Sequence, residues 1–279
     1  MREIAHEAIT EAVAGLCVEA NRYLPEDLAR ALREARQAEE WESARALLDI
    51  LIENEQVARR EEMPICQDTG MAVVFADVGQ EVHIDGDFDA AVNEGVRRGY
   101  VGGLLRKSIV GDPLRRVNTG DNTPALIHTR LVPGDRLRLT VAPKGFGSEN
   151  MSRVAMLPPA RGVGGVKEFV LETVRLAGAN PCPPMVLGIG IGSDFEGVAG
   201  LAKRALIQSV DEVNPDPYYA ALEKELLEEI NRTGIGPQGF GGRTTCLGLH
   251  ILAAPTHIAS LPVAVNVGCH VTRHRTVTL

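Results

Sequence analysis

No glycine stands between Gly15 and Gly70, and from Gly70 onward glycines are frequent. That contrast constrains the fold more than any bulk property, because glycine weakens helices and serves turns. The first sixty residues read as helical. Ile4, Ala8, Ile9, Ala12 and Val13 fall on one helical face. Pro25 is placed to open a second helix at its first turn. Trp41 to Arg60 forms a third, with Ala44, Leu47, Leu48 and Leu51 on one side. Beyond them the chain becomes loop-rich and strand-rich.

Within that body, Met71 to Val78 is apolar and β-rich, and the turn at Gly79-Gln80 predicts a hairpin into Val82 and Ile84. Phe88 to Gly99 reads as a short helix, and Ala125 to Arg130 and Arg136 to Val141 as strands about Pro133-Gly134-Asp135. Val166 to Ala177 is helical. Met185 to Ile191 is a buried strand, followed by a helix from Phe195 to Val210. Asp216-Pro217 starts another helix, which Gly234 ends. Cys246 to Ala254 and Val263 to Val267 close the series as strands. The expected class is α/β (mixed α+β). The expected organisation is one domain, 1–279, with a helical N-terminal cap (1–60) on an α/β body (61–279) of mixed sheets and helices.

Composition excludes several function classes. A net charge of -8 opposes a general nucleic-acid binder, which needs a basic face. No uncharged apolar run approaches the roughly 18 residues of a membrane span. Charges occupy the first residues where a signal peptide has its apolar core, so a cytoplasmic location is expected. Five cysteines in a chain of this size do not make a disulfide framework.

Three of the cysteines sit in constrained surroundings: Pro64-Ile65-Cys66-Gln67-Asp68-Thr69-Gly70, Asn180-Pro181-Cys182-Pro183-Pro184 and Val267-Gly268-Cys269-His270. Prolines and glycines there favour non-helical backbones that can aim a thiolate. Cys66 and Asp68 could together bind a metal and move a proton, or Asp68 could simply cap backbone amides beside a buried thiol. Three thiolates without a Cys-x-x-Cys pair do not fit a zinc ribbon and fall one short of a four-cysteine iron–sulfur pattern. His270 offers a further ligand or a hydrogen-bonding group. Cys17 and Cys246 lie in apolar segments and read as packing residues.

Lys144-Gly145-Phe146-Gly147-Ser148-Glu149-Asn150 resembles a backbone-amide cradle for an anion. Neither it nor the glycines at 188, 190 and 192 matches a nucleotide-binding fingerprint. Asn118-Thr119-Gly120-Asp121-Asn122-Thr123-Pro124 is either a structural loop or the wall of a polar site. His257, in Pro255-Thr256-His257, follows a predicted strand.

Taken in order along the chain, Cys66-Gln-Asp-Thr-Gly, Asn118-Thr-Gly, Lys144-Gly-Phe-Gly-Ser, Cys182-Pro-Pro, Gly236-Pro-Gln-Gly-Phe-Gly-Gly242 and Pro255-Thr-His257 before Cys269 resemble the class I iron–sulfur fumarase and L(+)-tartrate dehydratase family. The resemblance covers nearly the whole chain. It implies that Cys66, Cys182 and Cys269 hold three irons of a [4Fe–4S] cluster. The fourth iron would act as a Lewis acid on a small dicarboxylic acid. It implies that Asp68 and His257 are catalytic, Asp68 as a proton-transfer group and His257 as a substrate-binding histidine. It further implies that Gln67, Arg106 and Gly147 contact substrate. The implied activity is hydration of fumarate to L-malate. The alternatives are an L(+)-tartrate dehydratase α subunit and a catalytically inert metal-binding assembly subunit.

Single-chain members continue into a second domain after the last cysteine, whereas this sequence ends at Leu279. The resemblance therefore implies the α subunit of a two-subunit form, equivalent to the N-terminal domain of single-chain members. A β subunit would carry the second domain, and the expected assembly is a heterotetramer of two α and two β chains (α2β2).

Overall fold

The structure, a computed structural model, describes residues 1–279. In chain order the elements begin with β1 (Arg2–Ala5), α1 (His6–Arg22), α2 (Glu26–Ala38) and α3 (Glu42–Arg60). They continue with β2 (Met71–Gly79), β3 (Val82–Asp85), α4 (Phe88–Gly102), β4 (Leu126–Val132) and β5 (Leu137–Lys144). Next come α5 (Phe146–Glu149), β6 (Arg153–Leu157), α6 (Gly162–Ala177), β7 (Met185–Ser193) and α7 (Phe195–Ala205). The last are α8 (Pro217–Asn231), β8 (Cys246–Thr256), β9 (Leu261–Gly268) and β10 (Arg275–Thr278). The class is mixed α/β. No helix is long and apolar enough to cross a membrane.

The chain divides into two compact units. The first comprises Met1–Pro25, Glu55–Gly145 and Arg273–Leu279; the second comprises Glu26–Asn54 and Phe146–Thr272. The helices of residues 1–60 are shared out between them, with α1 in the first, α2 in the second and α3 running from one into the other.

In the first unit a four-stranded sheet runs β10-β5-β2-β4. The apolar run of β2 is explained by its central place, with β5 antiparallel on one edge and β4 parallel on the other. The predicted β2–β3 hairpin does not form. Both edges of β2 are taken, and β3 pairs in parallel with β1 in a separate two-stranded sheet. The Gly79-Gln80 turn is pinned instead to the β4–β5 turn, Gly79 N–H donating to Arg136 O and Gln80 N–H to Val132 O, both at 2.9 Å. Ile9 and Val13 of α1 and Val92, Val96 and Tyr100 of α4 pack over Val74, Leu137 and Leu139. Glycines on α4 let the two helices approach: a Cβ on Gly99 would lie 2.8 Å from the Cβ of Cys17.

In the second unit the sheet order is β6-β9-β7-β8, and β7 is flanked by antiparallel β9 and parallel β8. Alternation along β7 sorts its two faces. Met185, Leu187, Ile189 and Ile191 enter the core with α6 and α8. Gly188 and Gly190 face α7, where a Cβ would stand only 2.0 Å from Ala202 O and 2.2 Å from Val198 O. Those glycines serve strand–helix contact. The α7 helix ends at Ala205, short of the predicted Val210. Past its end, Asp27 accepts from Ser209 Oγ at 2.7 Å and Val210 N at 2.9 Å, holding a turn there. Asp216 caps α8 as expected, accepting from Tyr218 N at 2.9 Å.

Candidate active site

Cys66, Gln67, Asp68 and Arg106 belong to the first unit; Gly147, Cys182, His257 and Cys269 belong to the second. In the first unit, three loops are tied together at the end of β2. Thr69 is the joint: its Oγ1 donates to Arg106 O at 3.1 Å and accepts from Arg106 N–H at 2.9 Å. Arg106 is thereby fixed by its backbone while its side chain is exposed. Asn118 Nδ2 donates to Lys107 O at 3.0 Å, and Asn122 Oδ1 accepts from Ser108 N–H at 2.7 Å. The Asn118–Pro124 segment is thus a structural brace for the Arg106 loop.

Asp68 Oδ1 accepts from Gly70 N–H at 3.0 Å, so the capping expected of a turn is real. Asp68 Oδ2 faces Gly145, where a Cβ would stand 3.2 Å from it. Gly70 adopts φ +75, and a Cβ there would lie 2.7 Å from the Lys144 backbone, so only glycine fits. Cys66 is half-buried and its thiol donates to Gln67 Oε1 at 3.4 Å, while Gln67 is exposed.

In the second unit, Cys182 is exposed with φ +54, a left-handed backbone that disfavours side chains. Its N–H donates to Ala179 O at 3.0 Å. Its carbonyl accepts from His270 Nδ1 at 2.9 Å, which joins the Cys182 loop to the residue after Cys269. His270 is therefore a hydrogen-bonding residue. Pro183 O accepts twice from Gln238, from N–H at 2.7 Å and from Nε2 at 2.8 Å. Gly147 lies beside the same loop, its would-be Cβ 3.6 Å from Asn180 O. Gly147 sits in the one-turn helix α5, which Glu149 anchors through Lys203 and through Asn266 Nδ2 at 2.8 Å. His257 is exposed just past β8. Its Nδ1 accepts from Ala259 N–H at 3.2 Å, so in the neutral ring the proton sits on Nε2.

Three surface cavities are bordered by other residues: one of about 670 Å³ by Arg175, Glu229 and Arg232, one of about 510 Å³ by Asn231, Arg232 and Arg243, and one of about 240 Å³ by Tyr218, Tyr219 and Leu222. The candidate residues line none of the three. No three His, Cys, Asp or Glu side chains gather tightly enough to hold a single metal ion.

The thiols themselves separate into two kinds. None of the five is in a disulfide. Cys17 and Cys246 are sealed in the two cores, and burial pushes each thiol up to about 12. A thiol held neutral in that way is a packing group, as expected. Cys66 and Cys269 are half-exposed and Cys182 exposed, all on loops beside proline or glycine. As a donor set, three accessible thiols suit an iron–sulfur cluster better than a hard-cation site.

Residues that the sequence did not single out do much of the bracing: in the first unit Thr69, Asn122, Tyr100 through Thr69 O and Arg273 through Asp68 O, and in the second Gln238. Gln238, Thr69 and Asn122 lie inside motifs quoted above; Tyr100 and Arg273 carry no local signal.

The sequence profile of the fumarate hydratase (Fumerase) family matches residues 10–278. The chain belongs to the fumarate hydratase family. Similar proteins include one from Methanocaldococcus jannaschii, described as a candidate L(+)-tartrate dehydratase α subunit. It is 41% identical over 268 residues, covering 94% of each chain. The L(+)-tartrate dehydratase α subunits of Escherichia coli strains UTI89 and K12 are 32% and 31% identical over 279 residues. Each alignment covers 99% of this chain and 92% of the relative. The family's activity is that of hydro-lyases, and these relatives are named as subunits.

Proposed function

We propose that this chain, acting as a single cluster-binding catalytic domain over 1–279, is the α subunit of a cytoplasmic two-subunit iron–sulfur hydro-lyase that interconverts fumarate and L-malate. The observation that carries the reading is the division of thiols: three accessible ones on rigid loops against two sealed in cores, in a chain the family profile matches over 10–278. Cys66, Cys182 and Cys269 would hold a [4Fe–4S] cluster. Bound there, it would supply an iron without a cysteine ligand as Lewis acid toward the substrate's hydroxyl and a carboxylate.

The remaining chemistry belongs to the chain's own side chains. Hydration of an alkene delivers hydroxide to one carbon and a proton to the other. Asp68 exchanges that proton, its carboxylate oriented by the Gly70 N–H. Arg106, whose guanidinium makes no hydrogen bond or ion pair within the chain, binds a substrate carboxylate through its planar fork. Gln67 and the backbone of Gly147 add polar contacts. His257 donates from Nε2 to a substrate oxygen, because its Nδ1 is already an acceptor. A β subunit supplies the rest of the site in an assembly of two α and two β chains.

A second reading, L(+)-tartrate as substrate, is favoured by the names of the similar proteins. Tartrate carries one more hydroxyl than malate and uses the same machinery. Anaerobic reconstitution with iron, sulfide and the partner chain, then assays on malate, fumarate and tartrate, tests both. Turnover of fumarate and malate is the expected result. Turnover of tartrate alone replaces the substrate. No turnover of any of the three in a fully iron-loaded complex overturns the hydro-lyase reading and leaves an inert assembly subunit.

A further inference from the structure

The turn that carries Gln67 and Asp68 has three consecutive carbonyls directed into the first unit, and each is met by a side-chain donor from a distant part of the chain. Asp68 O accepts from Arg273 Nη2 at 2.6 Å. Thr69 O accepts from Tyr100 Oη at 2.8 Å. Gly70 O accepts from the same phenol at 3.1 Å and from Asn122 Nδ2 at 3.1 Å. All three donors are deeply buried, Arg273 at 4% exposure and Tyr100 and Asn122 at 0%. Buried carbonyls need partners, but backbone or water could have supplied them. Spending a buried guanidinium on one is unusual, because a desolvated charge is costly unless hydrogen-bonded.

We propose that Arg273 is a positioning residue for Asp68, holding the peptide of the turn from beneath so that the Asp68 carboxylate keeps one orientation toward substrate. The proposal rests on the reading of Asp68 as the proton-transfer group. Arginine suits the task because its fork spans two fixed acceptors: Nε donates to Asn21 Oδ1 at 3.2 Å while Nη2 reaches Asp68 O. Asn21 is itself locked, its Nδ2 donating to Cys17 O at 2.9 Å within α1. The turn is thereby referred to the frame of α1, with Tyr100 on α4 as second anchor. Burial pushes the Tyr100 phenol well above its ordinary range, which favours the protonated, donating form. With these carbonyls tied and Asp68 Oδ1 accepting from Gly70 N–H, backbone and carboxylate of the turn are held together.

Arg273→Lys keeps the buried charge and loses the fork. Hydrogen exchange of the cluster-free chain and of the reconstituted complex reads the turn directly, and steady-state kinetics with iron content reads its consequence. Amides of residues 66–70 should exchange about tenfold faster or more, with those of β2 and α1 unchanged within about twofold. In the complex kcat should fall about ten- to a hundredfold, with KM and iron per chain held within about threefold. Tyr100→Phe should loosen the same five residues, and its exchange pattern decides the matter if the arginine variant does not fold. Unchanged exchange at 66–70 in whichever variant folds overturns the proposal. So does faster exchange spread evenly through the first unit with kcat per iron-loaded complex unchanged, the mark of a purely structural residue. Absence of turnover in wild type and variants alike, with local loosening at 66–70 present, overturns the proposed function and not the hold of Arg273 on the turn.

Discussion

The Cys66–Gly70 turn and the Cys182 loop are both rigid, but by different means. In the first unit the turn is held from the interior, by buried side chains reaching three successive carbonyls. In the second unit the Cys182 loop is held by other loops, through His270 and Gln238, and its cysteine sits exposed at φ +54. A left-handed residue with a side chain costs on the order of 1 kcal/mol, which those loop contacts must offset. Substitutions around the turn, Cys66 itself apart, are therefore expected to alter rate or substrate affinity with the metal retained. Substitutions around the loop are expected to alter metal retention first.

The largest expected effect is at Asp68. Asp68→Asn keeps the shape and removes the base. It should lower kcat of the reconstituted complex by roughly 10²–10⁴, with iron content unchanged. Full kcat in that variant would return the turn to a capped structural element. Arg106→Lys comes next. It keeps the charge but loses the fork, and should raise KM about tenfold with kcat little changed. Loss of iron in either variant would break the distinction between the two regions.

Much of this was legible from residues alone, and the exceptions have a common cause. Apolar runs located β2, β4, β5, β7, β8 and β9, helical spacing located α1, and the glycine-free stretch located α2 and α3. The partner of β3 was not legible, because pairing is decided by which edges other strands have already filled. Short β1, β6 and β10 carry too few residues to show a pattern. The same holds at the candidate site. Cys66, Asp68, Cys182 and Cys269 announce themselves through motifs, since turn chemistry is local, whereas Arg106 came only with the family resemblance. Arg273 and Tyr100 do not, and Asn122 lies in a motif that does not name its partner, since each acts on a carbonyl far away in sequence and no spacing rule marks a donor for a distant turn.

Gln238→Ala sharpens the comparison from the second unit. It removes the side-chain bond to Pro183 O, worth about 1 kcal/mol, and should shorten the time for iron loss in air about fivefold while kcat of loaded enzyme stays put. An altered kcat with unaltered iron retention would mean the Cys182 loop behaves like the Cys66 turn.

The smallest effect uses one sealed thiol from each unit. Burial raises Cys17 and Cys246 from the ordinary 9.0 to about 12. Above pH 9 the unfolded chain can ionise these thiols while the folded chain cannot, so their contribution is complete below pH 9 and declines from pH 9 to 12. Cys17→Ala and Cys246→Ala should each flatten that alkaline decline in denaturant titrations. An unchanged slope would mean the replaced thiol is not sealed.

The central claim is that accessible and sealed cysteines divide the labour between cluster and core, and iron content tests it most directly. Iron and sulfide per chain should be measured after anaerobic reconstitution of the five single Cys→Ser variants. Cys66→Ser, Cys182→Ser and Cys269→Ser should each lose most of the iron bound by wild type, while Cys17→Ser and Cys246→Ser, where folded, keep it. Wild-type iron in a Cys66, Cys182 or Cys269 variant, or specific iron loss from a folded Cys17 or Cys246 variant, would contradict the account.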